Sequence, residues 1–301
     1  MEIKNLIPFL AMPLLLLLVE AGALWFSFPV QAAGLSAFDD PDSLENPLIF
    51  IVILLAFTGL LLLLIKYDLK KVIAAVIGVS IFLTFCYIFY ALGYMALGGT
   101  DATVVVMIVL SVLATVILYK YPEWYVIDLL GILIAAGVAS IFGVSLNVIP
   151  VVALLAILAV YDAISVYKTK HMLTLAEGVI DLKTPILFVI PKRRGYSYIR
   201  EGIGKIDGGT ERSAFIMGMG DLIMPTVLVV SANVFMQGWR LFGVINLPAL
   251  GAIIGSFAGL AVLLYFVASG RPQAGLPPLN GGTIIGFLLG FGLASLLPAV
   301  L

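Results

Sequence analysis

Nine runs of roughly 20 apolar residues, separated by mostly short connections, constrain this chain more than any other feature of its sequence. They cover approximately residues 6–30, 47–65, 72–97, 102–119, 124–142, 148–167, 214–237, 249–268 and 281–300. Each is close to the length that crosses about 30 Å of hydrocarbon as a helix. Lipid offers the backbone no hydrogen-bond partners, so such runs satisfy themselves as helices. Apolar residues make up 62% of the chain and charged residues 11%, against about 25% charged in a soluble domain. Charge this sparse cannot cover a water-facing surface. The expected fold is an all-α membrane protein of nine transmembrane helices.

The first run raises a processing question. Residues 7–19 followed by Ala21-Gly22-Ala23 imitate a secretory signal, but the apolar run resumes through Leu24–Val30 and only Lys4 precedes it. It reads as a retained transmembrane helix.

Connections alternate in basic charge. Of the 16 Lys and Arg, all but Arg240 fall in one alternating set, which contains the N-terminus. Basic residues gather on the cytoplasmic side, which predicts a cytoplasmic N-terminus and, with nine spans, an outer C-terminus. The acidic stretch Asp39-Asp40-Pro41-Asp42 then lies outside. The long polar connection 168–213 divides the chain into six spans (1–167) and three (214–301). Within it, Pro185-Ile-Leu-Phe-Val-Ile-Pro191 is apolar, β-prone and too short to span. It reads either as a loop segment packed on the bundle or as a short strand at the membrane surface.

Several chemistries are excluded. A net charge of −1 gives no basic field for nucleic acid. The single cysteine, Cys86, cannot form an internal disulfide or a cysteine-rich metal site. The single histidine, His171, lies in the polar connection, which removes histidine-rich zinc chemistry. A Ser-His-Asp triad would need that residue folded back into the membrane. Nothing calls for a metal or cofactor.

Ionisable groups in hydrocarbon cost about 2.5–3.5 kcal/mol each, so each needs a reason. Glu20, Asp128, Asp162 and Asp221 stand well inside runs. Asp162 lies about 8 Å back from the cytoplasmic end of the sixth run, and Asp221 about 10 Å into the seventh. Antiparallel helices thus bring these two acids to matching depth. Asp128 lies at about 9 Å, and Glu20 in the outer half. For Glu20 and Asp128 the expected role is an interhelical hydrogen bond.

Context favours the other pair. Gly218 and Gly220 remove side-chain bulk just before Asp221, so another backbone can approach. Pro225 lacks the N–H that would bond the carbonyl of Asp221, which loosens the helix there. Asp162 follows Tyr161, and Ser165 shares its helical face. Two carboxyls a few ångströms apart in low dielectric share one proton. Such a pair suits peptide hydrolysis: the ionised acid takes a proton from attacking water while the protonated one donates to the carbonyl oxygen. The titrations belong to the pair, so neither residue is assigned acid or base.

Tyr161-Asp162 and Gly218-Met219-Gly220-Asp221, in consecutive runs at matching depth, resemble the YD and GxGD motifs of presenilins and signal peptide peptidases. The nine spans and the long sixth-to-seventh connection are similar too. The resemblance implies an intramembrane aspartyl protease acting on transmembrane substrates, with Tyr161, Gly218 and Gly220 supporting the pair. The family's PAL motif has its positional match in Pro277-Pro278-Leu279, where proline replaces the central alanine. Pro248-Ala249-Leu250 opens the eighth run on the outer face and is read as coincidence. The charge pattern matches the presenilin orientation, and the chain resembles a compact microbial (archaeal) presenilin homologue in the cell membrane, its site opening toward the cytoplasm.

Cleaving a helix requires unwinding it, and strand addition supplies partners for its freed backbone. The 185–191 run, with Leu187 and Val189 as candidate contacts, and Pro277-Pro278-Leu279 are expected to offer that edge. Gly251, Gly255 and Gly259, and likewise Gly286 and Gly290, form small-xxx-small faces. They suit close helix packing, with homo-oligomerisation as the alternative. The rival function is an ion-coupled secondary transporter, which also uses intramembrane acids but usually shows internal repeats. A membrane scaffold, the third reading, has no need of paired acids.

Overall fold

The computed structural model describes residues 7–169, 187–193, 195–202, 213–267 and 273–296. The helices are α1 (Ile7–Ala32), α2 (Glu45–Lys66), α3 (Lys70–Leu97), α4 (Asp101–Lys120), α5 (Trp124–Ser145), α6 (Val148–Ile164), α7 (Met219–Phe235), α8 (Leu247–Val267) and α9 (Leu276–Leu296). Among the described residues, eight helices are long and apolar enough to cross a membrane, and α7 is a shorter apolar helix. The first run is helical and contributes Leu16, Val19 and Ala23 to the core. Residues such as Val52 and Ile53 on α2 and Val105 and Val109 on α4 turn outward, as a lipid-covered bundle requires.

The seventh run departs from expectation. Ala214–Gly218 is not helical but forms strand β2, antiparallel to β1 (Leu187–Pro191), in register from Leu187↔Gly218 to Pro191↔Ala214. Asp221 therefore lies in the first turn of α7 rather than two turns into a helix. A five-residue apolar strand fused to an apolar helix has no periodicity of its own to mark the change. The strand reading of the 185–191 run holds for Leu187–Pro191; Pro185, Ile186 and His171 fall outside the described residues.

Helix α9 also begins earlier than expected, at Leu276, so Pro277-Pro278-Leu279 forms its first turn rather than preceding it. Helices α8 and α9 are the most extensively packed pair. Their glycines interdigitate: a Cβ on Gly251 would strike the Gly286 carbonyl, one on Gly255 that of Gly282, and one on Gly259 that of Pro278. These glycine faces are thus used within the chain.

At the far end, α7 and α8 are joined by a hairpin of β3 (Arg240–Leu241) and β4 (Ile245–Asn246). The Asn246 side-chain amide donates to the Ala232 carbonyl at 2.7 Å and its oxygen accepts the Ala249 N–H at 2.9 Å, capping α8. Arg240 spends its guanidinium on Asn233 and the Val244 carbonyl. The acidic connection docks on the α5–α6 turn, with the Asn147 N–H donating to the Pro41 carbonyl at 2.9 Å.

Candidate active site

Two helices begin, and one ends, around Asp162 and Asp221. Asp162 is 2% exposed and sits in the last turn of α6. There the helix widens into a π-helical turn, Ser165–Thr169, of the kind that recurs at functional sites. Ser165 Oγ donates to the Tyr161 carbonyl at 2.7 Å, tying this turn to the residue before the acid.

The carboxylate of Asp162 faces the start of α9. Leu276 N–H donates to its Oδ2 at 3.0 Å, and Gly275 N–H bonds the same carboxylate. A helix start normally leaves four backbone donors without partners. Here Asp162 takes those of Gly275 and Leu276, while Pro277 and Pro278 have none to satisfy. The Leu279 N–H then reaches the Gly275 carbonyl at 3.4 Å. Proline in place of alanine at 278 therefore removes a donor that would otherwise need a partner at this buried end. Asp162 acts as the N-cap of a helix more than a hundred residues away in sequence.

Asp221 occupies the equivalent place on α7. Gly218 is its N-cap, with φ −64° and ψ 135°, and the Gly218 N–H bonds back to the Asp221 carboxylate. This is the reaching-back half of a capping box, with aspartate in the third helical position. Both acids thus sit at helix N-termini, where the macrodipole favours negative charge. The half-buried Asp221 and buried Asp162 lie within electrostatic reach of one another. Gly275 stands between them. Its N–H holds Asp162, and a Cβ there would fall 2.8 Å from Asp221 Oδ2 and 2.9 Å from Cγ. Pro225 lies inside α7, four residues past Asp221, so the Asp221 carbonyl has no helical N–H donor at that position.

The segment entering α9 is held from the π-helical turn. Tyr167 Oη donates to Gln273 Oε1 at 2.9 Å and accepts the Ala274 N–H at 3.4 Å. Gly275, Leu276, Tyr167 and Gln273 escaped the reading of the sequence. The first two act through backbone N–H groups, and the one available signal was a glycine just ahead of a proline-initiated helix.

The remaining expected residues are distributed as follows. Gly218 and Gly220 flank Asp221, and Gly218 contributes its N–H. Glu20 makes the expected interhelical bond, accepting from Ser256 Oγ on α8 at 2.6 Å. Asp128 does not: its Oδ1 accepts the Val189 N–H of β1 at 2.8 Å, a helix-to-strand bond. That bond fixes the orientation of the strand. The Lys192 N–H donates to the Ser213 carbonyl at 3.1 Å, so even-numbered residues of β1 bond toward β2 and Leu187, Val189 and Pro191 turn away from it. Of these, Val189 is the one bonded to α5. The edge expected from Leu187 and Val189 is therefore occupied at Val189, and among the described residues the outward edge of the sheet is that of β2 at Ile216.

Fold and site define a multi-pass membrane protein with two acids at converging helix ends. The family model for signal-peptide peptidase, presenilin aspartyl protease, matches residues 13–296. Two solved structures of a presenilin family intramembrane aspartate protease, in C222 and P2 space groups, are similar to this chain. Both are 52% identical and are matched over 95% of this chain; 100% and 98% of their own chains are covered, with TM-scores of 0.71 and 0.70. No curated protein matches. The chain belongs to the signal-peptide peptidase and presenilin family of aspartyl proteases.

Proposed function

We propose that this chain is an intramembrane aspartyl endopeptidase that cleaves transmembrane substrates, with Asp162 and Asp221 as its catalytic pair. The carrying observation is the convergence of the two carboxylates at the N-termini of α9 and α7, with Gly275 beside both. The pair holds one proton. The ionised member takes a proton from water as its oxygen attacks the scissile carbonyl carbon, and the protonated member donates to the carbonyl oxygen. Reversal of these transfers expels the amine. Leu276, Gly275 and Gly218 hold the carboxylates through backbone donors, so the acids need little reorganisation during reaction.

In this reading α7 completes a nine-crossing bundle in which 1–167 carries the first acid and 214–301 the second. The N-terminus lies in the cytoplasm of a cell bounded by this membrane, and the site opens to that side, as the asymmetry of basic residues supports. An unwound substrate segment adds to the outer edge of β2, which runs directly through Gly218 into Asp221. Family membership favours this chemistry over ion-coupled transport.

The test is cleavage of a single-span substrate in proteoliposomes. Asp162→Ala and Asp221→Ala are each expected to abolish it. Cleavage surviving either change would remove that residue from the pair.

A further inference from the structure

We propose that Asp128 is a positioning residue that closes the far edge of the β1–β2 sheet and thereby sets the register in which substrate meets the catalytic acids. The proposal rests on the protease reading and on strand addition at β2.

A two-stranded sheet has two edges, and each is a template for a further strand. On β1 the outward positions are Leu187, Val189 and Pro191. Pro191 has no N–H, and the Val189 N–H is held by Asp128 Oδ1 at 2.8 Å. Gly131, one helical turn beyond Asp128 on the same face of α5, makes the dock possible. A Cβ there would lie 3.0 Å from Phe188 Cε1 and 2.6 Å from Met219 Cε. Phe188 is fully buried, and Met219 is the first residue of α7. The same face of α5 therefore grips β1 through its backbone and packs on the start of the helix that carries Asp221.

A second attachment lies just beyond. Glu123, at the start of α5, accepts from Ser197 Oγ at 2.6 Å and from the Tyr198 N–H at 2.9 Å. The chain after β1 is thus pinned to the same helix. With β1 anchored, β2 is left, among the described residues, as the single outward edge, fixed relative to Asp221. A strand that pairs there can slip only in steps of two residues if its side chains keep their faces. The Asp128 bond is what prevents the sheet from shifting under it.

The contact needs an acceptor rather than a charge, which makes it testable. In reconstituted full-length protein, Asp128→Ala is expected to lower kcat/KM roughly tenfold, the order expected when a buried N–H loses its partner. It is also expected to add products displaced by two residues, read by mass spectrometry. Asp128→Asn keeps an acceptor oxygen and is expected to recover most of the rate and the single product. Val189→Pro removes the donor from the other side without touching the bonds to β2, since that N–H faces away from the ladder. It is expected to reproduce the Asp128→Ala pattern, and the double variant to be no worse than either single one. A wild-type rate and product in Asp128→Ala or Val189→Pro would overturn the proposal, as would an Asp128→Asn as impaired as the alanine variant. If Asp128→Ala does not fold, the Val189→Pro and Asp128→Asn arms decide alone. Failure of the protease reading itself would appear separately, as absence of cleavage by the wild type.

Discussion

The N–H of Leu276 meets Oδ2 of Asp162 at 3.0 Å, so the first turn of one helix is held by an acid near the end of another. Leu276→Pro removes that donor at the first helical position, where proline is well tolerated. The helix should form as before while Asp162 loses one of its two backbone contacts. Activity is expected to fall about tenfold, with little change in thermal unfolding in detergent.

Gly275 leaves no room for a side chain beside Asp221. Gly275→Ala would put a methyl group 2.8 Å from Oδ2 and force the carboxylate aside. Displacements of about 1 Å can cost on the order of a hundredfold in rate. The expected outcome is a loss in kcat larger than any change in KM, measured with a single-span substrate.

The glycine contact between α8 and α9 reaches into the site through Pro278. A Cβ on Gly259 would collide with the Pro278 carbonyl and lie 3.0 Å from Leu279 Cα. Gly259→Ala is expected to cost about 1–3 kcal/mol in stability through overpacking, and to reduce cleavage as well. Gly292→Ala, on the partner helix α9 with nothing within 4 Å, is the control and should change neither.

An alkaline transition is expected in the segment after β1. Tyr196 is buried and its hydroxyl donates to the Gly202 carbonyl at 2.7 Å. Burial, followed by the neighbouring Tyr198, Glu201 and Glu123, pushes its ionisation above the ordinary phenol value. The folded state therefore holds this proton more tightly than the unfolded chain. The resulting stability is complete below about pH 10 and is lost as pH climbs toward the folded-state value. Burial raises Tyr198 as well, so an absorbance titration should show late phenolates in the wild type, one of which is missing in Tyr196→Phe.

What the sequence made legible follows from where information is stored in it. Membrane helices announce themselves through length and apolarity, and an acid inside one is conspicuous because it is costly there. That Asp162 and Asp221 come near one another could be read from residue counting, although α7 begins five residues later than its apolar run. Strand β2 was invisible because Ala214–Gly218 is as apolar as the helix that follows. The partners of the acids were invisible for a different reason. Gly275, Leu276 and Val189 act through backbone N–H groups, which every residue but proline carries. At Pro277 and Pro278 the informative fact is a pair of missing donors. The motif substitution there makes sense only once Asp162 is seen to serve the other two.

The capping of α9 by Asp162 also bears on timing. A chain made from its N-terminus inserts both acids before Gly275 and Leu276 have been synthesised. Until those residues arrive and α9 zips onto α8, Asp162 lacks its backbone donors and Asp221 lacks the glycine that separates it from its partner. Biosynthesis thus supplies both acids early and their alignment late, so a half-made chain is expected to leave other nascent membrane proteins uncut. A translation product stopped just short of Gly275 should carry both aspartates and cleave nothing. Supplying α9 as a separate peptide is then expected to restore cleavage.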